Sequence, residues 1–366
     1  MAAIRLAGVS SAPREDGFAI RGVDLEVADA SICALVGPSG SGKTTLLRLV
    51  AGLDPVAAGR VYLADDDITD WPPGKRNVAW LSQEHPLYPH LDVEHNIGFA
   101  LRLKRMLRED ITERVHAEAR VTGVERLLHR RPSTLSAGEQ QAAGLARATA
   151  RMPGVYLFDE PLARIDPQER TRLRAELAQY LGALAATSIV GTNDQTEAFA
   201  LGDQIAVLRN GALAQAGPPA ELFARPADAF VAAFLGSPGM NVAPGRFEAG
   251  TRSAWVRFDG DAVELHGCPP HLRRALDGRA VLVGVRPEHV RLAPAGTGLP
   301  AQVERVEVLG HATVVYARLR HGTRLTARCR PGQRARRGEA VGLRVDSSRL
   351  HLFDPLTERA LWQTTP

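Results

Sequence analysis

The sequence predicts an α/β protein: a phosphate-loop core carrying an inserted helical subdomain, followed by a smaller all-β barrel. Three observations carry that expectation. Residues Gly37-Pro-Ser-Gly-Ser-Gly-Lys-Thr44 have the spacing G-x-x-x-x-G-K-[ST], which builds a cradle for nucleotide phosphates. Apolar runs of strand type alternate with helical spacings to about residue 208, as in a mainly parallel sheet covered on both faces. Beyond Gly236-Ser-Pro238 the pattern turns to short β runs punctuated by Gly and Pro, as in small barrels.

Taken in order, residues 1–30 alternate apolar and polar positions, with Val23, Leu25 and Val27 on one face, as half-buried strands do. The run 31–36 reads as a strand, and 44–50 carries helical apolar spacing. A helix starting near Gly42 aims its N-terminus at the phosphates, where anions are favoured. The loop N–H groups then wrap the α/β-phosphates, Lys43 reaches the β/γ-phosphates, and Thr44 offers a hydroxyl to Mg²⁺. Further strands are expected at 58–63 and 78–81. Residues 91–130 then change character, with Arg, Glu and Leu at helical spacing, no Pro, and an N-cap expected at Asp92. This predicts a helical subdomain over about 86–150. After it come a buried strand at 155–158, an amphipathic helix at 168–184, and strands at 188–190 and 204–208. In the tail, β runs fall at 281–285, 303–308, 314–319 and 343–345. The domain boundary is expected near 236, giving domains 1–235 and 236–366.

A chain of 366 residues suits this division, since single cores stop growing near about 250–300 residues. Residues 236–366 hold 20 Arg and 12 acids, whereas the rest holds 25 Lys and Arg against 29 acids. Two domains with different surfaces follow, and alone this is weak evidence for a nucleic-acid partner, which is not expected. Cys33, Cys268 and Cys329 form no C-x-x-C pair, which points to a reduced compartment, with Cys33 a small core residue. No signal peptide is expected. The uncharged stretch 177–193, which no other exceeds in length, splits better into a helix end and a strand than into a membrane span. A membrane role is expected only through partners.

A phosphate loop needs a metal-holding partner and a base that activates water. Val155-Tyr-Leu-Phe-Asp-Glu160 supplies both at the end of an apolar strand. Asp159 would hold Mg²⁺ and Glu160 would polarise the attacking water. Gln83, at the end of a strand and heading the helical insert, would touch Mg²⁺ and water. Leu135-Ser-Ala-Gly-Glu-Gln-Gln141 precedes a helix of small residues. Its Ser136 hydroxyl and helix-start N–H groups make either a second anion site or a plain N-cap. The Arg stretch 328–337 reads as a solvated loop, and Trp71 and Trp80 as packing residues.

Together these segments resemble an ABC-type ATPase cassette: the phosphate loop, Gln83, the 135–141 segment, Phe158-Asp-Glu-Pro161, Leu162-Ala-Arg-Ile-Asp166 and Gly191-Thr-Asn-Asp-Gln195, in that order. The tail segments Gly284-Val-Arg-Pro-Glu-His289, Glu307-Val-Leu-Gly310 and Leu350-His-Leu-Phe-Asp354 resemble the OB-like, TOBE/MOP-like regulatory barrel of maltose- and glycerol-3-phosphate-type importer ATPases. The resemblance implies ATP and Mg²⁺ as ligands, held by Gly37, Pro38, Ser39, Gly40, Ser41, Gly42, Lys43, Thr44 and Thr45. It implies Ser136, Ala137, Gly138 and Glu139 as the phosphate contact made by an opposing protomer, and Asp166 as the residue of the loop after the Asp-Glu pair. It further implies a peripheral subunit on the cytoplasmic face of the inner membrane. There it would couple ATP hydrolysis to import of sugars, polyols or glycerol phosphates, with two permeases and, indirectly, an external solute-binding protein.

Five positions depart from the family pattern. The usual His after the strand is Asn193, which cannot carry a proton near neutral pH. The usual Leu-Ser-Gly-Gly-Gln reads Leu-Ser-Ala-Gly-Glu, so Ala137 adds a Cβ and Glu139 a negative charge; the Arg that often follows is Ala142. The adenine-stacking aromatic has no clear equivalent, with Arg14 at its spacing and Phe18 nearby. These departures predict weakened hydrolysis, in a slow homodimer or in a heterodimer with an intact second ATPase. The alternative is a largely regulatory ATP-binding subunit.

Overall fold

The structure is a computed structural model and describes residues 3–82, 87–163, 165–183, 185–251, 253–258, 260–333 and 335–363. Two compact units divide the chain, Met1–Pro219 and Ala220–Pro366.

In chain order the first unit runs β1 (Ile4–Ser10), β2 (Val23–Val27), β3 (Ile32–Val36), α1 (Lys43–Ala51), β4 (Ala58–Leu63), β5 (Asp66–Asp67), β6 (Val78–Leu81) and the helices α2 (Val93–Ile97), α3 (Phe99–Leu103), α4 (Arg108–Val121) and α5 (Ala137–Ala150). It continues through β7 (Val155–Asp159), α6 (Pro167–Ala183), β8 (Thr187–Thr192), α7 (Gln195–Leu201), β9 (Gln204–Arg209) and β10 (Ala212–Gly217).

Continuous burial sets the centre. Every residue of β3, β7 and β8 is buried, as expected of strands covered on both faces. They lie in a six-stranded sheet ordered β10-β9-β3-β8-β7-β6, parallel except for β10 at one edge. Strand β2 instead buries Val23, Leu25 and Val27 and exposes Asp24 and Glu26, the period of two that leaves one face wet. It belongs to a separate antiparallel sheet ordered β2-β1-β4-β5. Helix α1 lies against β6, β7 and β8, so the loop before it opens at the C-terminal ends of the parallel strands. Ligands of open α/β sheets gather at that edge.

The insert builds its own core from Val93, Ile97, Leu101, Ile111, Val115 and Ala146, among others. Asp92 caps its first helix by accepting the His95 N–H. Buried Glu118 of α4 pairs with Arg114 at 2.5 Å and accepts hydroxyls from Thr149 of α5 and Tyr180 of α6, tying the insert to a helix of the sheet layer. Cys33 is fully buried, and burial pushes its thiol up to about 12, as an inert core residue requires. Trp80 packs against the core as expected, whereas Trp71 is 41% exposed and lies at the surface.

The second unit begins within α8 (Pro219–Ala224) and continues through α9 (Ala229–Phe234), β11 (Asn241–Ala249), β12 (Ala254–Phe258), β13 (Asp261–Leu265), α10 (Pro270–Leu276), β14 (Ala280–Val285), β15 (Val290–Ala293), β16 (Leu299–Val308), β17 (Thr313–Leu319), β18 (Arg324–Cys329), β19 (Ala340–Val345), β20 (Leu350–Phe353) and β21 (Ala360–Gln363). A sheet ordered β13-β12-β11-β14-β20-β21 accompanies one ordered β15-β19-β16-β17-β18. The end strands β15 and β18 of the latter lie against each other, curling it into a nearly closed barrel. Helix α9 falls in this unit, although the sequence places the boundary after it, at the turn near 236. The reason is burial: Ala229 and Ala232 pack with Met240 and Phe353. Arg286 fastens the same segment, donating to Leu235 O at 2.8 Å and lying over the Phe223 ring. Arg328, Arg330, Arg336 and Arg337 are exposed, as a solvated stretch would be. Arg334 lies outside the described residues.

Candidate functional site

Two glycines let the phosphate loop close. A Cβ at Gly37 would stand 2.4 Å from Leu208 O, and one at Gly42, where φ is +108°, would meet Ile20 Cδ1 at 2.6 Å and Phe18 Cζ at 2.8 Å. Neither position has space for a side chain. Helix α1 starts after Gly42 with no side-chain cap and no acid in its first turn. Its first N–H groups are thus left for an anion.

The loop borders a cavity of about 320 Å³ lined by Arg14, Asp16, Phe18, Ser39, Gly40, Gly42, Lys43, Thr44, Thr45, Glu160 and Asn193. Residues from three distant parts of the sequence therefore meet around one space. Lys43 Nζ donates to Gly37 O at 2.9 Å and to Pro38 O at 3.2 Å, folded onto its own loop. Burial lowers its pKa, opposed by the charges of Glu160 and Asp159. Asp159 hydrogen-bonds Thr44, and burial raises its carboxyl above the usual range. Burial also raises Glu160, opposed by the Asn193 backbone N–H and by Lys43. Glu160 sits in the left-handed region at φ +52°, its N–H donating to Gly191 O at 2.8 Å. A non-glycine residue held there marks strain that the surroundings maintain.

Buried atoms without partners show what the site is built to take. Asp159 Oδ1, Glu160 Oε1 and Ser41 Oγ have no hydrogen-bond partner. Unpaired buried carboxylate oxygens are costly. Beside Thr44 and Lys43 they make a set suited to a hard divalent cation and phosphate oxygens.

The other expected residues fall elsewhere. Ser136 caps α5, accepting the Glu139 N–H at 3.3 Å, while Glu139 Oε2 accepts the Ser136 N–H at 2.7 Å. This reciprocal box also keeps the Glu139 carboxylate 3.8 Å from Arg130, so part of the expected negative charge is spent locally. Ser136, Ala137, Gly138 and Glu139 do not line the loop cavity. Asp166 accepts the Gln168 N–H at the start of α6. Gln83 lies outside the described residues.

Two residues escaped the sequence reading. Gln141 Nε2 donates to the carbonyls of Glu160 and Pro161, bracing the strained turn from α5. Glu197, 3% exposed, accepts the Thr192 hydroxyl at 2.8 Å, and that hydroxyl accepts the Asp194 N–H at 3.0 Å. The pair fixes the loop that carries Asn193. Asp194 followed by Glu197 reads as a helix-start pattern, with Asp194 accepting the Thr196 and Glu197 N–H groups, and this hides the buried role.

Burial pushes Glu197 up to about 7 from an ordinary 4.5, with Asp194 and Glu160 adding and Thr192 and Arg170 opposing. Between those values the native chain holds a proton that the unfolded chain has lost. Stability therefore falls as pH rises through this window, by up to roughly 3 kcal/mol. Glu197→Gln is expected to remove that fall, measured by urea denaturation at about pH 5 and about pH 8. A variant keeping the full pH slope would show that Glu197 is not its source.

Family models match at residues 20–163 (ABC transporter), 236–290 (MalK OB fold domain) and 283–353 (TOBE domain). The chain is 39% identical over 343 residues to the sulfoquinovosyl glycerol transport ATP-binding protein SmoE of Agrobacterium fabrum, covering 93% of this chain and 95% of that protein. It is 41% identical over 341 residues to the sn-glycerol-3-phosphate import ATP-binding protein UgpC of Chromobacterium violaceum, covering 93% and 90%. Among solved structures, a dimeric ATP-binding cassette in a post-hydrolysis state with ADP and Pi aligns at a TM-score of 0.55 and 25% identity, over 59% of this chain and 98% of that one. With the cassette fold, its phosphate loop and the barrel behind it all accounted for, the chain belongs to the ABC transporter family of ATP-binding proteins, in the group that carries a MalK-type OB fold and a TOBE domain.

Proposed function

We propose that this chain binds Mg²⁺-ATP at its phosphate loop and hydrolyses it as the energy-coupling subunit of an importer for sugars, polyols or glycerol phosphates. The observation that carries this reading is the meeting of Glu160, with its unpartnered oxygen, and Lys43 and Thr44 around one cavity, with Asp159 and its own unpartnered oxygen bonded to Thr44 just behind the wall. Thr44, Asp159 and Gln83 would hold Mg²⁺, which when bound neutralises charge on the phosphate oxygens. Lys43 turns from its loop carbonyls to the phosphates, and Glu160 orients and deprotonates the attacking water. Asn193 supplies its backbone N–H to Glu160 and a short amide toward the terminal phosphate. Ser136 and the N–H groups of Ala137, Gly138 and Glu139 close the site from a second cassette, either another copy or a second ABC ATPase, with Asp166 at the junction. No helix among the described residues is long and apolar enough to cross a membrane. In this reading the chain attaches at the cytoplasmic face through two permease subunits, with a solute-binding protein acting beyond them, in keeping with the transport and import that its relatives' names describe.

Phosphate release by the purified chain tests this. Slow, Mg²⁺-dependent ATP hydrolysis is expected, rising more than linearly with protein concentration because two cassettes complete each site. Asn193→His should raise the rate by about tenfold, since it restores a longer donor that can also hold a proton. Hydrolysis at the same rate without Mg²⁺, or none under any condition, would refute the proposal; an unchanged rate in the variant would refute only the role given to Asn193.

A further inference from the structure

We infer that the nucleoside end of this site is read by the guanidinium of Arg14, and that it accepts guanine nucleotides at least as readily as adenine nucleotides. The inference rests on the phosphate-loop reading above. Glu160 and Asn193 line one part of the loop cavity, and with Lys43 they mark where the terminal phosphate lies. Arg14, Asp16 and Phe18 form another part of the wall, and Thr45 follows the metal-binding position on the chain. A second cavity of about 520 Å³ is lined by Ser11, Ala12, Arg14, Thr45, Arg48 and Asp54 with Pro55, and so shares Arg14 and Thr45 with the first. A nucleoside leaving the phosphate loop away from Glu160 therefore passes against Arg14 in either cavity.

The chemistry of that surface is donor-rich. Arg14 Nη2 donates to Thr45 Oγ1 at 2.8 Å, which pins the head of an otherwise exposed side chain. That uses one of the five N–H donors of a guanidinium. Asp54, the nearby acid that could draw Arg14 away, is held by Arg48 in a two-pronged pair at 2.9 and 2.8 Å. Among the described residues Phe18 is the only aromatic in either lining, and its ring is taken up by Gly42 on one side and by the Arg14 guanidinium, 5.9 Å from its centroid. Recognition then falls to hydrogen bonding more than to ring stacking. Guanine presents N7 and O6 as adjacent acceptors, whereas adenine presents N7 beside an amino donor. A guanidinium pairs twice with the first and once with the second. Cytosine has no N7/O6 pair; its two adjacent acceptors, N3 and O2, sit beside the glycosidic bond, where the ribose limits a guanidinium's approach.

Displacement of a fluorescent ATP analogue from the full chain in Mg²⁺ tests this. GTP is expected to displace the probe at or below the ATP concentration, while CTP needs about tenfold more. Arg14→Tyr should shift the ATP-to-GTP ratio toward ATP by about tenfold, by replacing the donors with a stacking face. Arg14→Lys should lose the guanine advantage while keeping the charge. ATP displacing the probe at tenfold lower concentration than GTP would overturn the inference and leave the phosphate-loop reading intact. An ATP-to-GTP ratio unmoved in both variants would do the same. Failure of the probe to bind at all would overturn the nucleotide site, and this inference with it.

Discussion

Lys43→Ala is expected to abolish the stabilisation that Mg²⁺-ATP confers on this protein. A ligand at about 100 times its Kd adds about 2.7 kcal/mol to the folded state, readable as a rise in melting temperature. In the free chain Lys43 is held over its own loop by two carbonyls, close enough to Asp159 and Glu160 to feel both charges. The same ammonium is then available to the phosphates at little cost in order. Removing it takes away the cation that balances the two carboxylates and the ligand together. Hydrolysis should fall by about 10²–10³-fold, the loss usual for one preorganised charge-stabilising group. An ATP-induced melting shift as large as that of the unsubstituted protein would sink the assignment.

Glu160→Gln is expected to separate binding from turnover. Glutamine keeps the shape, and the Asn193 N–H keeps an acceptor, but the amide cannot take a proton from water. Turnover should fall by about 10²–10⁴-fold, the range for a lost general base. ATP binding should persist or tighten, because one of two buried acids beside the phosphates is gone. Size-exclusion chromatography with ATP should then show an accumulated dimer, each half completing the other's site through the Ser136 segment. Rapid hydrolysis in the variant would mean that another group serves as base. Folding should not suffer, since Glu160 Oε1 has no hydrogen-bond partner to lose.

Much of the first unit was legible because its signals are local. Strands β4 and β6 fall at the residues the apolar runs predict, and α6 begins one residue before its predicted start. The cap at Asp92 depends on a residue only three positions on, and the phosphate loop is announced by spacing within eight residues. The barrel was less legible. Strands such as β13, Asp261–Leu265, bury only Leu265 fully and carry two acids, so they look like loop until a neighbour pairs with them. Helix α9 looks like the end of the core domain, because nothing local reveals that Phe353 lies beneath it.

The candidate site divides along the same line. By itself the sequence determined that a phosphate loop exists, that an Asp-Glu pair ends a buried strand, and that Asn193 and Glu139 stand where the family pattern has other residues. These are matters of spacing and residue type within short segments. Only the tertiary structure decided that Arg14, Lys43, Glu160 and Asn193 border one cavity, that Glu139 turns back onto its own helix, and that Glu197 is buried beneath the Asn193 loop. Those outcomes depend on parallel pairing of β7 with β8 and of β3 with β8, the second of which aligns strand ends more than 100 residues apart. They also depend on desolvation, which acts only once the core has closed over the carboxylates and shifted their protonation.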